Sequence, residues 1–288
     1  MSPCAARSLI FRTIFAGALA QAPAAQSGSG AVEAPLPPNE TLHYTVEWRL
    51  VTAGKARLAW SADPESAAKG WRANLHLEST GLVSKLFRVN DDYQTQLRSD
   101  LCTLNSYINA QEGRRHRETK VAFDLAARKA SRTETDLIKK TELDKSEIDI
   151  PSCVHDVIGG LYFLRTLRLQ PDDHTEIPVS DGKKSVSARV DAQQREQVKT
   201  AAGTFQTIRY EVFLFNNVLY RRSGRLYVWL TDDERRLPVQ IRVRLQFTIG
   251  TITLQLEKIE REAAFSKTVQ SCSWHTMSGD VEKAPAQS

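Results

Sequence analysis

The chain has 288 residues, of which 41% are hydrophobic and 25% charged, and its formal net charge is +5. These proportions are ordinary for a soluble globular protein. Because there is no long apolar run beyond the N-terminus, composition argues against a membrane-spanning helix in the rest of the chain. The mild positive charge permits an anionic partner without requiring one.

The N-terminus is typical of an export signal. Arg7 supplies a positive charge ahead of a short apolar segment at 9–20. Ala18 and Ala20 fit the small residues that precede a signal-peptidase site, which predicts cleavage before Gln21.

Residues 1–20 are therefore predicted to be a signal peptide, with cleavage after Ala25 as a second option. Residues 21–39 are rich in Ala, Pro, Gly and Ser and are predicted to be a flexible linker. We expect an exported protein, periplasmic or associated with the envelope, with no transmembrane span once the signal is removed. A disordered cytoplasmic leader is the alternative.

Apolar and polar residues alternate from residue 40 onward, as they do in antiparallel strands with one buried and one solvated face. In the first half of the chain, this pattern predicts strands at 41–50, 56–60, 71–77, 92–97, 103–111, 117–124 and 129–135. The apolar spacing at 80–87 predicts a short helix. The segment 137–150 is charged and lacks a clear period, so we predict a loop there.

The main helix is predicted to start after Asp156, whose side chain can cap it. Val157, Leu161 and Leu164 follow at helical spacing. The pair at 159–160 is Gly-Gly, which lowers helix propensity. We expect these glycines to allow a close approach of the helix backbone to a sheet.

Strands return after residue 171. They are predicted at 186–192, 208–215, 219–222, 241–249 and 252–256. Asn216 and Asn217 suggest a hairpin turn between the second and third of these. The apolar phase changes at Gly250, which predicts a β-bulge or a tight bend.

These patterns predict a mainly β fold with about ten to twelve strands. The large antiparallel sheet is expected to curl into a barrel or half-barrel, with one main inserted helix. We assign a single β-rich domain to residues 40–262. The polar segment 263–288 is predicted to be a disordered tail.

Several motifs resemble a known family. They are AAGTF at 201–205, VWLTDD at 228–233, RLPV at 236–239, and Asp156 followed by GGLYFLR at 159–165. The chain resembles the Domain of Unknown Function 3108 family of exported bacterial proteins over roughly residues 40–260. The resemblance implies an envelope-facing, β-rich domain with an inserted helix, and it supplies no catalytic residue.

Three cysteines remain after signal removal, and two of them would pair in an oxidising compartment. We predict a disulfide between Cys102 and Cys153, with Cys272 free, while buried reduced thiols remain an alternative. A nucleophilic Cys153–His155–Asp156 cluster is disfavoured, because adjacent side chains at a helix start point in different directions. The sequence shows no paired zinc ligands and no cofactor-binding motif, so neither a metal nor a cofactor is expected.

Aromatic residues on the predicted strands and helix are the candidates for a ligand cavity. They are Trp48, Trp60, Tyr107, Phe123, Tyr162, Phe213, Phe215, Trp229 and Phe247. In a closed barrel these rings would only fill the core. In a half-barrel covered by the helix they would line a cavity for an acyl chain or another apolar ligand.

The candidates for an anionic contact surface are Arg114, Arg115, Arg117, Arg242 and Arg244. The last two are opposite in phase to the apolar face and should lie outside any cavity. Our first hypothesis is a non-enzymatic module that binds a lipid or other hydrophobic ligand. The second is an interaction protein whose basic sheet face binds an anionic glycan, a lipid headgroup or a protein.

A hydrolase is the distant third hypothesis, with Glu47, Glu118 and Glu211 as dispersed carboxylates. Nucleic acid is not an expected partner of an exported protein. The sequence leaves the oligomeric state open.

Overall fold

A computed structural model describes residues 36–49, 51–63, 70–245 and 250–260. The predicted signal peptide, most of the linker, Phe247, Cys272 and the predicted tail lie outside the described residues.

The described residues contain fourteen strands and two helices. The first part consists of β1 (Asn39–Trp48), β2 (Val51–Ala62), β3 (Trp71–Ser79), α1 (Gly81–Leu86), β4 (Val89–Leu97), β5 (Thr103–Glu112), β6 (Arg115–Asp124), β7 (Lys129–Asp136) and β8 (Thr141–Asp149). The second part consists of α2 (Val157–Thr166), β9 (His174–Ser180), β10 (Ser185–Thr200), β11 (Gly203–Val212), β12 (Gly224–Thr231), β13 (Pro238–Leu245) and β14 (Thr251–Glu260).

All fourteen strands form one antiparallel sheet, in the order β8-β7-β6-β5-β4-β3-β2-β1-β14-β13-β12-β11-β10-β9. Each described strand pairs with its neighbour in sequence, except that β8 does not pair with β9. The chain passes from edge strand β8 through α2 to the other edge, β9, and β14 then pairs with β1 at the centre. The predicted mainly β, half-barrel architecture is confirmed, because β8 and β9 form no ladder that would close the sheet.

Although the sheet is open, its two sides are in contact. The turn at 181–184 lies against β6, β7 and β8, where Ser146 Oγ donates to the Gly182 carbonyl at 3.3 Å. Lys183 pairs with Asp144 at 3.2 Å. Gly182 has a φ of +81°, and a Cβ there would lie 2.8 Å from Val121 Cγ1. A glycine is therefore required where this turn approaches the opposite side.

Two local predictions were wrong. Residues 141–149 form the edge strand β8 rather than a loop. Most of its side chains face water on both sides, so the strand has no apolar period. The segment 219–222 is not a strand. Asn216 and Asn217 have positive φ values of 60° and 69°, but they belong to a longer connection, 213–223, between β11 and β12.

The sheet has an inner face, against which α2 packs, and an outer face. Buried inner-face residues of the central strands, including Leu42, Tyr44 and Leu58, share a core cluster with Ile158 and Tyr162 of α2. Residues of β9–β12 and Leu164 form the neighbouring cluster. The helix therefore covers the middle of the half-barrel.

Candidate functional site

Asp156 fixes the start of α2. Its carboxylate accepts a hydrogen bond from the Gly159 backbone N–H at 2.7 Å, which confirms the predicted cap. Thr95 Oγ1 donates to the same carboxylate at 2.5 Å, and Thr103 Oγ1 accepts from the Asp156 backbone N–H at 3.0 Å. The pKa of Asp156 is raised, because the effect of burial is larger than the opposing effect of these donors. The carboxylate is thus occupied in holding the helix to β4 and β5.

Gly159 lets the first turn of α2 approach those two strands. A Cβ at this position would lie 2.8 Å from both Leu97 Cδ2 and Thr103 Oγ1. At Gly160 the nearest atom to a Cβ would be Val179 Cγ2, at 3.8 Å. The predicted close approach of helix to sheet therefore occurs at Gly159, whereas Gly160 leaves space beside it.

Arg165 fixes the other end of α2. Its guanidinium pairs with Glu40 of β1 at 2.9 Å, and both side chains are fully buried. Arg165 Nε donates to the Arg236 carbonyl at 3.0 Å and Nη2 to the Arg235 carbonyl at 3.2 Å. The guanidinium also lies 5.2 Å from the ring centre of Tyr162. One side chain thus joins α2 to β1 and to the turn between β12 and β13.

A cavity of about 300 Å³ lies between α2 and the inner face, and we name it the α2 cavity. Strands from both sides of the half-barrel contribute to its wall. The lining residues are Tyr44, Leu58, Leu75, Leu77, Val157, Ile158, Gly160, Leu161, Leu164, Ile177, Val179, Val190, Val212, Leu214, Phe215, Tyr220, Leu226, Val228, Ile241, Val243 and Leu254. The lining side chains are hydrophobic, and their only polar groups are the hydroxyls of Tyr44 and Tyr220.

The two phenols do not supply a charged group to the cavity. Burial raises the pKa of Tyr220 to about 12 and raises that of Tyr44 as well. The Tyr44 hydroxyl donates to the Pro238 carbonyl at 2.8 Å. Both rings therefore stay neutral near pH 7, and the wall suits an uncharged apolar ligand.

The volume sets the size of such a ligand. An engineered apolar cavity of about 150 Å³ holds benzene, so a cavity twice that size suits about ten to twelve carbon atoms. Burying ten methylenes contributes roughly 8 kcal/mol, at about 0.8 kcal/mol each. That corresponds to a dissociation constant of about 1 µM before the cost of ordering the chain is included.

Among the aromatic candidates that the structure describes, Phe215 alone lines the wall of the α2 cavity. Trp60 and Tyr162 stack at 4.1 Å within the adjoining core. Phe123 belongs to a separate buried cluster on β6–β8. Phe213 follows β11 in the connection 213–223 and is partly buried.

Three other aromatic candidates lie away from the cavity. Trp48 stacks under the Arg49 guanidinium at 5.4 Å. Tyr107 donates to Glu118 Oε1 at 3.2 Å. Trp229 is buried, but its Nε1 donates to Glu196 at 2.6 Å and its ring lies 5.0 Å from the guanidinium of Arg242. Trp229 therefore belongs to the outer face.

Arg242 and Arg244 lie outside the α2 cavity, as their phase predicts. They border a shallow groove on the outer face together with Arg209 and Arg225. Arg225 lies 3.8 Å from Glu211, which lines the same groove. Four guanidinium groups thus surround a surface that contains one carboxylate.

The other basic candidates are divided between two environments. Arg114 and Arg115 are exposed at the turn between β5 and β6. Arg117 pairs with Glu134 at 2.9 Å. Arg114 and Arg115 form no such ion pair with any residue in the described part of the chain.

Cys102 and Cys153 form a disulfide, which confirms the predicted pairing. Cys153 therefore has no thiol to act as a nucleophile. The imidazole of His155 is buried, and its Nδ1 lies 2.9 Å from the Leu101 carbonyl oxygen. Burial lowers the pKa of His155 to about 4, so the ring is neutral at physiological pH. The cluster secures the segment that leads into α2.

The three dispersed glutamates do not converge. Glu47, Glu118 and Glu211 lie on β1, β6 and β11, with at least three strands between any two. At about 4.8 Å per strand, that is a separation of roughly 19 Å along the sheet. Glycoside hydrolysis needs carboxyl groups within about 5–9.5 Å of each other. Within the described residues, no three or more His, Cys, Asp or Glu side chains are placed to bind a metal ion.

Sequence reasoning missed two features of the site. The Arg165–Glu40 pair joins residues 125 positions apart, and only an arginine inside an apolar helix hinted at it. The cavity wall is mostly aliphatic, whereas the prediction concentrated on aromatic rings. The alternation of residues such as Leu75 and Leu77 could have revealed the wall, but only once the strand order was known.

Residues 43–257 match the family described as "Protein of unknown function (DUF3108)". The chain belongs to the DUF3108 family. This confirms the resemblance noted in its turn and strand motifs. A search of curated proteins gave no similar sequence.

A solved structure shows the same kind of fold as this DUF3108 chain. A β-barrel-like protein of the DUF1849 domain from Brucella abortus has a TM-score of 0.52 at 8% identity, covering 79% of this chain and 99% of that one. A protein with a YmcC-like fold from Bacteroides fragilis has a TM-score of 0.35 at 11% identity, covering 79% and 100%. The first supports a β-barrel-like fold for this chain. None of the helices in the described part of the chain has the length and apolar character needed to span a bilayer.

Proposed function

We propose that this DUF3108 protein is a non-enzymatic envelope module that holds a lipid or another hydrophobic ligand in the α2 cavity. The observation that carries the proposal is the wall itself, which is apolar and comes from α2 and both sides of the half-barrel. A packed core would leave no such space. The neutral phenols favour binding over catalysis, as does a wall whose described residues include no carboxylate.

Two features support the envelope location. The first twenty residues have the composition of an export signal. The Cys102–Cys153 disulfide suits an oxidising compartment. The periplasm or the envelope is therefore the proposed site of action.

The test compares two matched substitutions. Leu75→Trp places a larger side chain in the α2 cavity, whereas Leu143→Trp makes the same change at an exposed position of β8. Binding is measured by titrating a fluorescent analogue of a twelve-carbon fatty acid. We expect Leu75→Trp to weaken binding at least tenfold and Leu143→Trp to match the unmodified protein. Val243→Phe provides a second cavity-filling variant if Leu75→Trp fails to fold.

Equal affinity for all three proteins would contradict the cavity as the binding site. Failure of the unmodified protein to bind any acyl probe below about 100 µM would contradict the proposed function, since burial of the chain predicts far tighter binding.

The arginine groove of the outer face supports a second candidate function, recognition of an anionic glycan, lipid headgroup or protein. Arg242 and Arg244 border the groove, and Glu211, the carboxylate among its described lining residues, lies against Arg225. Changing both arginines to glutamate should abolish binding to anionic envelope material if this function is correct. The same variant should leave binding of the acyl probe unchanged, which separates the two candidates.

A further inference from the structure

The two ends of the sheet differ in charge and in exposed apolar surface. We name the end where α1 lies the α1 end. The connections that meet there include 80–88, 113–114, 137–140, 181–184 and 213–223. Together these five contain nine lysine or arginine residues and a single acidic residue. The connections at the opposite end contain more acidic than basic residues.

Exposed apolar side chains gather at the α1 end. Leu82 and Leu86 of α1 are 73% and 76% exposed, and Phe87, which follows the helix, is 54% exposed. Val51, at the start of the strand against which α1 packs, is 59% exposed. No residue of α1 is buried. Because α1 contributes no buried residue to the core and exposes its leucines to water, we expect this helix to contact another molecule.

Basic residues surround these apolar side chains directly. Lys85 and Arg88 lie in the same segment and are exposed. The Phe87 ring lies over Gly113, where a Cβ would come within 3.0 Å of it, and the Gly113 backbone N–H donates to the Arg88 carbonyl at 2.7 Å. The turn that follows Gly113 carries Arg114. Apolar groups and cations therefore form one continuous surface.

The same end also reaches the α2 cavity. Leu214, Phe215 and Tyr220 of the connection 213–223 line the cavity, and the next residues of that connection are Arg221 and Arg222, both exposed. Lys184 donates to the Asn217 carbonyl at 2.6 Å and thereby links a second basic turn to this connection.

We propose that the α1 end docks on the surface of an anionic lipid bilayer, with Leu82, Leu86 and Phe87 inserted among the headgroups and the surrounding lysines and arginines paired with lipid phosphates. An apolar insertion rimmed by cations is the combination that binds anionic bilayers. A protein partner would explain the leucines, but it would not require five cationic connections on one end. The inference extends the proposed function by naming a source for the ligand, although docking does not require an occupied cavity.

The test is co-sedimentation with vesicles of phosphatidylcholine alone or with 30% phosphatidylglycerol, each at low and high salt. Lys85→Glu/Arg88→Glu changes the charge of the α1 end. Arg168→Glu/Lys199→Glu makes the same change in net charge at exposed positions of the opposite end. Each basic residue near an anionic surface contributes about 1 kcal/mol, or about fivefold, to binding. We therefore expect the first variant to bind at least 30-fold more weakly and the second to lose less than threefold.

Leu82→Ser/Leu86→Ser tests the insertion, and because both side chains are exposed it should fold normally. We expect it to bind anionic vesicles at least tenfold more weakly. Several results would overturn the proposal: no binding by the unmodified protein, binding that does not depend on phosphatidylglycerol, equal losses for the two charge variants, or unchanged binding of the leucine variant. Leu75→Trp should bind vesicles normally, so failure of docking and failure of the cavity proposal are distinguishable.

Discussion

The buried Arg165–Glu40 pair offers a sharp test of how α2 is held over the half-barrel. Arg165→Met keeps an aliphatic side chain of similar length but removes the cation. Glu40 then becomes a fully buried carboxylate that has lost this cation, and the carbonyls of Arg235 and Arg236 each lose a donor. We expect the substitution to lower the free energy of unfolding by about 3–5 kcal/mol, as removal of one partner from a buried pair does.

Urea unfolding, followed by circular dichroism, measures the effect. Glu40→Gln should also destabilise the protein, because it leaves the guanidinium of Arg165 buried without its carboxylate. In the double variant both charges are gone. The double variant should therefore lose less unfolding free energy than the two single variants lose in sum, by about 2 kcal/mol.

The control is Arg98→Met, which breaks the Arg98–Asp100 pair, whose side chains are 42% and 48% exposed. Exposed pairs contribute about 0–1 kcal/mol, so this change should be small. A loss below about 1 kcal/mol for Arg165→Met, or strict additivity in the double variant, would refute the argument that this pair anchors α2.

Three further predictions concern α2 and the segment before it. Gly159→Ala should lower the free energy of unfolding by about 1–3 kcal/mol through overpacking, because a Cβ there would lie 2.8 Å from two sheet side chains. Gly160→Ala should be neutral or stabilising by up to about 1 kcal/mol. Lowering the pH from about 6.5 to about 4 should cost roughly 3 kcal/mol through His155, because only the unfolded imidazole gains a proton. Reducing Cys102–Cys153, with its sequence separation of 51, should cost about 4 kcal/mol.

Urea unfolding checks all three, and each has its own contradicting result. Equal stability of the two alanine variants would show that α2 does not approach the sheet at Gly159. The pH effect is read as the difference between the unmodified protein and His155→Gln, because Asp91, with its pKa raised to about 6, acts in the opposite direction. Identical pH profiles would contradict the role of His155. Unchanged stability after reductant treatment would contradict the disulfide.

Much of the fold could be predicted from local alternation, since one face of most strands is buried. The chain around Tyr44 and Leu58 alternates because its inner face packs under α2. The same logic failed at 141–149, since an edge strand exposed on both faces has no apolar period. It also failed at 219–222, where Leu219 is buried in the core cluster of β9–β12 although its own segment forms no ladder.

The site was harder to predict because it depends on strand order. The pairing of β1 with β14 places residues from opposite ends of the chain in one wall, and no local pattern encodes that contact. The Cys102–Cys153 pairing was accessible because few cysteines lie in the folded region. The capping role of Asp156 was accessible because it depends only on neighbours in sequence.

Native mass spectrometry of the protein, purified without detergent from the cells that naturally produce it, tests the central claim most directly. An occupied α2 cavity predicts a stoichiometric mass increase that disappears on organic extraction, with an apolar compound of about ten to twelve buried carbons recovered in the extract. A bare polypeptide mass, together with no uptake of added acyl chains, would contradict the account.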